Sequence, residues 1–196
     1  MKKTILCGIA SGVAVLVAET VSLQSKPLSE IERDGAAGIN GSFEVTKSGL
    51  PVNWYFFTPK TVPAADFDIG MDNRDPKNGK QSLKFVVRKC DPIGGRLSPG
   101  FFNEFHNVKP GETYKISFSS KNAGSEFVFK ARTVKVKEAG PQAIITSKET
   151  INEWRRFECT ITITPRMWLR LELNVLQPGT FWIDDIQIEK VNDQAK

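Results

Sequence analysis

Histidine is nearly missing from this sequence: His106 stands alone among 196 residues. Tyrosine occurs only at Tyr55 and Tyr114, and cysteine three times. One histidine and scattered cysteines do not make the ligand spacing of a zinc site. There is no metal-binding pair of histidines, no G-x-S-x-G elbow and no phosphate-binding glycine loop. Lys and Arg are not clustered as a nucleic-acid footprint requires; both signs are interspersed, and the formal charge is +5. After the first eighteen residues no apolar run approaches the roughly 20 residues of a membrane-spanning helix. Beyond that segment, no helix of ordinary length shows a 3.6-residue period.

The chain opens MKKTILCGIASGVAVLVAET. A positive start at Lys2 and Lys3, an apolar run over 5–18 and small or apolar residues at 16–18 have the layout of a secretory signal peptide. An uncleaved anchor is the alternative. Lipidation at Cys7 is rejected, because Leu6 is large for the preceding position and the apolar run follows Cys7. The expected organisation is a signal peptide over 1–18, a linker over 19–38, one β-domain over 39–191 and a polar tail over 192–196. The mature protein is expected to be secreted or periplasmic, without a membrane span. Without residues 1–18, 25 basic side chains face 22 acidic ones, leaving +3. Of the remaining cysteines, Cys90 and Cys159 allow one disulfide, which export permits. Cys159 also falls in phase with Phe157, Ile161 and Ile163, so a buried free thiol is equally natural.

Short β-type runs punctuated by turn residues fill the rest: Ser42–Val45, Ser82–Arg88, Phe101–Val108, Tyr114–Ser119, Glu126–Val136, Arg156–Thr164, Trp168–Leu176 and Thr180–Lys190. The separators include PKNGK, DPIGG, KPGET, KEAGP and QPG. Three runs alternate clearly: Tyr114, Ile116 and Phe118; Phe157, Cys159, Ile161 and Ile163; Leu169, Leu171, Leu173 and Val175. Such two-faced strands belong to antiparallel sheets with one solvated side. The fold class is all-β, an antiparallel β-sandwich.

In the last run, GTFWIDDIQIEK, Asp184 and Asp185 interrupt β-forming residues. Alternation should aim one of them at the buried side, where a carboxylate needs a partner, hydrogen bonds or a metal.

The ordered motifs NGSFE (40–44), LPVNW (50–54), NGKQSLKF (78–85), VKPGETYKISFSSK (108–121), NEWRRFECTITI (152–163), LRLEL (169–173) and GTFWIDDIQIE (179–189) resemble the jelly-roll carbohydrate-binding modules of families 4, 9 and 22, in the galactose-binding-like superfamily. The resemblance spans about 39–190. It implies a structural calcium where the first and last strands meet, held by Gly41, Glu44, the Lys80 carbonyl, Ser82, Asp184 and Asp185. Calcium accepts such oxygen ligands from distant segments. The alternative is an inward aspartate held by backbone N–H groups or Lys80.

Sugar binding needs an aromatic platform and polar groups beside it. The outer face of WLRLELNVL offers Trp168, Arg170, Glu172 and Asn174. Counted back from Val108, the run FFNEFHNV puts Phe102, Glu104 and His106 on one face, which the family pattern turns inward; that implies a semi-buried His106 rather than a general base, and Phe101, Asn103 and Phe105 outward. Lys130 and Arg132 should point outward from their run. The LRLE segment is similar to the LYxE of family 22 modules, which favours Glu172; Arg170 replaces the aromatic of that pattern, so ligand class does not carry over. Trp54 and Trp154 occupy positions that usually pack the sandwich. Adjacent acids on one strand do not flank a cleft as glycosidase carboxylates do. The expectation is a non-catalytic protein binding an oligo- or polysaccharide, an acidic one included, with a separate glycoside hydrolase as a conceivable partner. The alternative is a structural or protein-interaction jelly roll.

Overall fold

Alternation of apolar and polar residues sets the backbone throughout. The computed structural model describes residues 31–135 and 138–191; the expected signal peptide, part of the linker and the polar tail lie outside the described residues. The strands are β1 (Thr46–Lys47), β2 (Leu50–Pro51), β3 (Tyr55–Phe57), β4 (Asp66–Asp72), β5 (Ser82–Lys89), β6 (Gly100–Phe105), β7 (Thr113–Ala123), β8 (Phe127–Lys135), β9 (Glu138–Ser147), β10 (Ile151–Thr162), β11 (Trp168–Val175) and β12 (Gly179–Lys190). Apart from the β1–β2 ribbon they form two five-stranded antiparallel sheets. The back sheet runs β10-β7-β12-β5-β4 and the front sheet β3-β6-β11-β8-β9. The all-β sandwich expected from the sequence is the fold observed.

The core lies between the sheets. Leu169, Leu171, Leu173 and Val175 of β11 face Phe85, Phe118, Phe181 and Ile183 of the back sheet, all without solvent exposure. Phe118 packs against Phe129 at 4.4 Å and Phe127 against Phe181 at 4.8 Å between ring centroids. Each large side chain so buried contributes about 1.5–3 kcal/mol.

Two expectations change, and of the two cysteine alternatives the free thiol is the one observed. Ser42–Val45 is not a strand: Asn40 and Phe43 hold positive φ. The Asn40 side chain gathers that turn by donating to the Val45 and Val52 carbonyls at 2.8 and 3.0 Å. β4 and β9 were not anticipated, since one carries three aspartates and the other contains KEAGP residues read as a separator. Both are sheet edges, where polar residues and Pro141 interrupt no central ladder. Cys90 and Cys159 are free thiols. Cys90 follows β5 and Cys159 lies on β10, with β12 and β7 between, a separation of about 14 Å at roughly 4.8 Å per strand. A disulfide tolerates less than about 7 Å between Cα atoms.

Candidate functional site

Asp184 is fully buried, but not in the core. It shares the outer face of β12 with Trp182, and the segment 77–81 folds over it. Its Oδ2 accepts from the Lys77 and Asn78 amides at 2.9 and 3.0 Å, and its Oδ1 from the Asp185 amide at 2.7 Å. A bulge after Asp184, with Asp185 at φ +55°, returns Ile186 to the core side. Burial pushes the Asp184 carboxyl up to about 6, while those three amides act in the opposite sense. The expected strand alternation is therefore broken at this pair.

Glu44 holds the other end of the same segment, its Oε1 accepting from the Lys80 and Gln81 amides at 2.9 and 3.1 Å. Two glycines permit these approaches. A Cβ on Gly41 would lie 1.9 Å from the Ile186 carbonyl oxygen, and one on Gly79, at φ +69°, 2.5 Å from the Glu44 carboxylate. Glu44 and Lys80 thus lie at one end of the 77–81 segment and Asp184 and Asp185 at the other, with Gly41 against the β12 bulge. Ser82 instead turns its hydroxyl to the Asp72 carbonyl at 3.4 Å. The Glu44 and Asp184 carboxylates and the Gly41 and Lys80 carbonyls are oxygens of the kind calcium takes, although Glu44 Oε1 and both Asp184 oxygens accept backbone amides and the Gly41 carbonyl accepts from the Ile186 amide at 2.9 Å. Among the described residues no three acidic, His or Cys side chains converge on a metal position. An ion here would rest on two carboxylates and backbone carbonyls.

The outer face of the front sheet forms three rows across the strands. Tyr55, Phe102, Glu172, Lys130 and Ile144 make one. Glu104, Arg170, Arg132 and Gln142 make the next. Phe57, Gly100, Asn174, Val128 and Thr146 make the third. Trp168 lies beyond the second row, its ring 4.8 Å from that of His106. Tyr55 stacks on Phe102 at 4.9 Å and 12°, and the Arg170 guanidinium lies 3.8 Å from the Phe102 ring centre.

Glu172 is the hub. Its Oε2 accepts from Arg170 Nε and Nη2 at 2.9 and 2.7 Å and from Arg132 Nη2 at 3.1 Å. Arg170 Nη1 donates to Glu104 Oε1 at 3.1 Å. The third row is capped by the 3-10 turn Gly95–Leu97: Asn174 accepts from the Gly95 amide at 2.8 Å and donates to its carbonyl at 2.9 Å.

Trp168, Arg170, Glu172, Asn174, Lys130 and Arg132 therefore share the expected face, although Asn174 is sealed beneath the turn. Phe101, Asn103 and Phe105 do not: they register against Leu173, Leu171 and Leu169 on the core side. Asn103 there donates to the Asn53 carbonyl at 2.6 Å. The phase counted from Val108 fails because β6 ends at Phe105. Tyr55, Phe102, Glu104 and His106 are the face residues that this count missed; alternation counted from Glu104, the charged member of the run, finds Phe102 and His106. His106 is exposed, not half-buried within the sandwich.

Trp54 is in the core as expected. Trp154 is not; with Trp182 it lies on the outer face of the back sheet. The Lys121 ammonium sits 4.8 and 5.4 Å from their ring centres. Asp72, Arg74, Asp75, Lys121 and Trp182 line a depression of about 260 Å³ there. Its groups satisfy one another: Asp72 accepts from Arg74 and Trp182, and Asp75 from Lys121. On the front face, by contrast, aromatic rings lie beside Lys130 and Arg132, whose nitrogens are not all partnered among the described residues.

No protein-family model and no curated protein matches this sequence. Solved structures do match. A xylan-binding family 22 domain from Paenibacillus barcinonensis superposes with TM-score 0.53 at 16% identity, covering 78% of this chain and 92% of that one. A family 4 carbohydrate-binding module gives 0.55 at 15%, covering 78% and 98%. An arabinose-bound GH51 α-L-arabinofuranosidase gives 0.55 at 15%, covering 85% of this chain but 31% of that enzyme. At such identities the likeness is one of fold. The chain has the jelly-roll β-sandwich of carbohydrate-binding modules resembling families 4 and 22.

Proposed function

We propose that this protein is a secreted, non-catalytic carbohydrate-binding module that takes an oligo- or polysaccharide along the outer face of the front sheet. The observation that carries the reading is the placement of Tyr55, backed by the buried Phe102, at one side of that face and Trp168 at another, around polar groups. Sugar rings stack on such platforms through their apolar faces. The non-catalytic reading is supported by the two acids of the face, Glu104 and Glu172, both accepting from Arg170. Neither is placed opposite the other across an open gap. The signal-peptide layout supports secretion.

A structural calcium at Glu44 and Asp184, completed by the Gly41 and Lys80 carbonyls, belongs to the same proposal. The ion would neutralise the two carboxylates and tie the segments around them together. Affinity electrophoresis in gels containing xylan, β-glucan or pectic polymers tests the binding reading: retardation by at least one polymer, abolished by Tyr55→Ala, is expected. Migration unaffected by every polymer favours the second reading, a protein-interaction jelly roll. That reading draws on the internally paired Glu104–Arg170–Glu172–Arg132 network, which fills the middle of the face.

A further inference from the structure

The middle of the front face carries more cationic donors than its acids use. Arg170 is consumed: Nε and Nη2 serve Glu172, Nη1 serves Glu104, and its plane rests on Phe102. Arg132 reaches the same Glu172 oxygen with one nitrogen, while its Nε is buried without a partner. Lys130 stands directly across from Glu172 in register, yet makes no ion pair among the described residues. Glu172 Oε2 already accepts three N–H bonds, and its Oε1, on the side of Gly95, makes none to Lys130. The neighbours on the other side, Gln142 and Ile144 of β9, bring no negative charge. Glu104 is committed to Arg170 and lies 4.0 Å from His106. Three cations thus face two acids, and the unspent charge is concentrated on Lys130 and Arg132.

Resting on the carbohydrate-binding reading, we propose that the ligand is an anionic glycan, bearing uronate carboxylates or sulfate esters, whose charged group is taken by Lys130 and Arg132. A ligand oxyanion supplies an acceptor to the Lys130 ammonium and to Arg132 Nη1, neither of which has one among the described residues, in charge-assisted hydrogen bonds stronger than those to neutral hydroxyls. From Lys130 to Tyr55 is three strand spacings, about 14 Å. A chain anchored by its anion on β8 can therefore lay another ring against Tyr55 on β3.

Titration calorimetry on the full chain tests this with polygalacturonate, its carboxyl-reduced neutral counterpart, a sulfated galactan and a neutral panel of xylan and β-glucan. Binding to a charged polymer but not to the reduced one is expected, weakened at high ionic strength. The two charged polymers distinguish carboxylate from sulfate recognition. Lys130→Glu should lower affinity for the charged polymer at least tenfold with an unchanged melting temperature, since Lys130 holds no structural partner. Lys130→Arg should retain most of the affinity. Equal affinity for charged and reduced polymers, or binding to the neutral panel alone, overturns the anionic preference and leaves the carbohydrate reading standing. Binding to no polymer overturns both.

Discussion

Arg170 and Glu172 stand two residues apart on one face of β11, and the guanidinium delivers Nε and Nη2 to a single carboxylate oxygen at 2.9 and 2.7 Å. Glu172 is almost fully buried by this contact, with Arg132 on its far side. Its part in the face is to hold the arginines. Glu172→Ala removes the common acceptor of two guanidinium groups and is expected to destabilise the fold by about 3 kcal/mol, the range found when one partner of a buried ion pair is deleted. Urea denaturation measures this. A loss below about 1 kcal/mol would mean that the network is not structural.

Tyr55 and Trp168 carry the stacking part of the proposal. Covering a ring on either removes on the order of 100 Å² of apolar surface from water, worth roughly 2.5 kcal/mol before ordering costs. Tyr55→Ala and Trp168→Ala should each weaken glycan binding about tenfold or more. Affinity unchanged in both variants, with folding intact by circular dichroism, would move the ligand off this face.

In the metal-free protein, acidity should stabilise the fold through Asp184. Its carboxyl is pushed up to about 6 in the folded state, above the roughly 3.9 of an unfolded chain. The folded form therefore holds the proton more tightly, and this contribution, present in full below the unfolded value, is lost as pH rises through 6. Between pH 7.5 and pH 5 the expected gain is on the order of 1 kcal/mol. Asp72, held below the usual range by the Arg74 guanidinium, acts in the opposite sense only at about pH 4 and lower. Denaturation midpoints of wild type and Asp184→Asn at the two pH values measure the effect. A wild-type slope matching that of the variant would refute it.

For calcium, the measurement is thermal melting of metal-stripped protein with added calcium and with EDTA. Preferential binding to the folded state raises the midpoint, and Glu44→Gln should remove the difference. Identical curves would leave the backbone amides of 77–81 and Asp185 as the whole compensation for these acids.

Legibility in the sequence followed how distinct the two faces of each strand are. β11 reads cleanly because every second residue from Leu169 to Val175 is apolar and the intervening Arg170, Glu172 and Asn174 are polar. β6 does not, since Phe101 and Phe102 are adjacent and each is covered, one by the core and the other by Tyr55, Phe57 and Arg170. With phenylalanine on both faces, a count wrong by one residue exchanges inside and outside. Asp184 resisted reading for a different reason: its burial comes from a segment over one hundred residues away in sequence, and the bulge beside it suspends the alternation on which the reading depended.

The placement of the four outermost strands bears on how this protein keeps to itself. β4 carries Asp66 and Asp68, clasped by Arg88; β9 contains Gly140 and Pro141; β3 is three residues long; and β10 exposes Glu153, Arg155, Arg156 and Glu158. Each is a recognised way of discouraging a stray strand from pairing with an open margin. Open strand margins are otherwise templates for aggregation, so these margins act as gatekeepers, and under the proposed reading the broad front face is the surface left for a ligand.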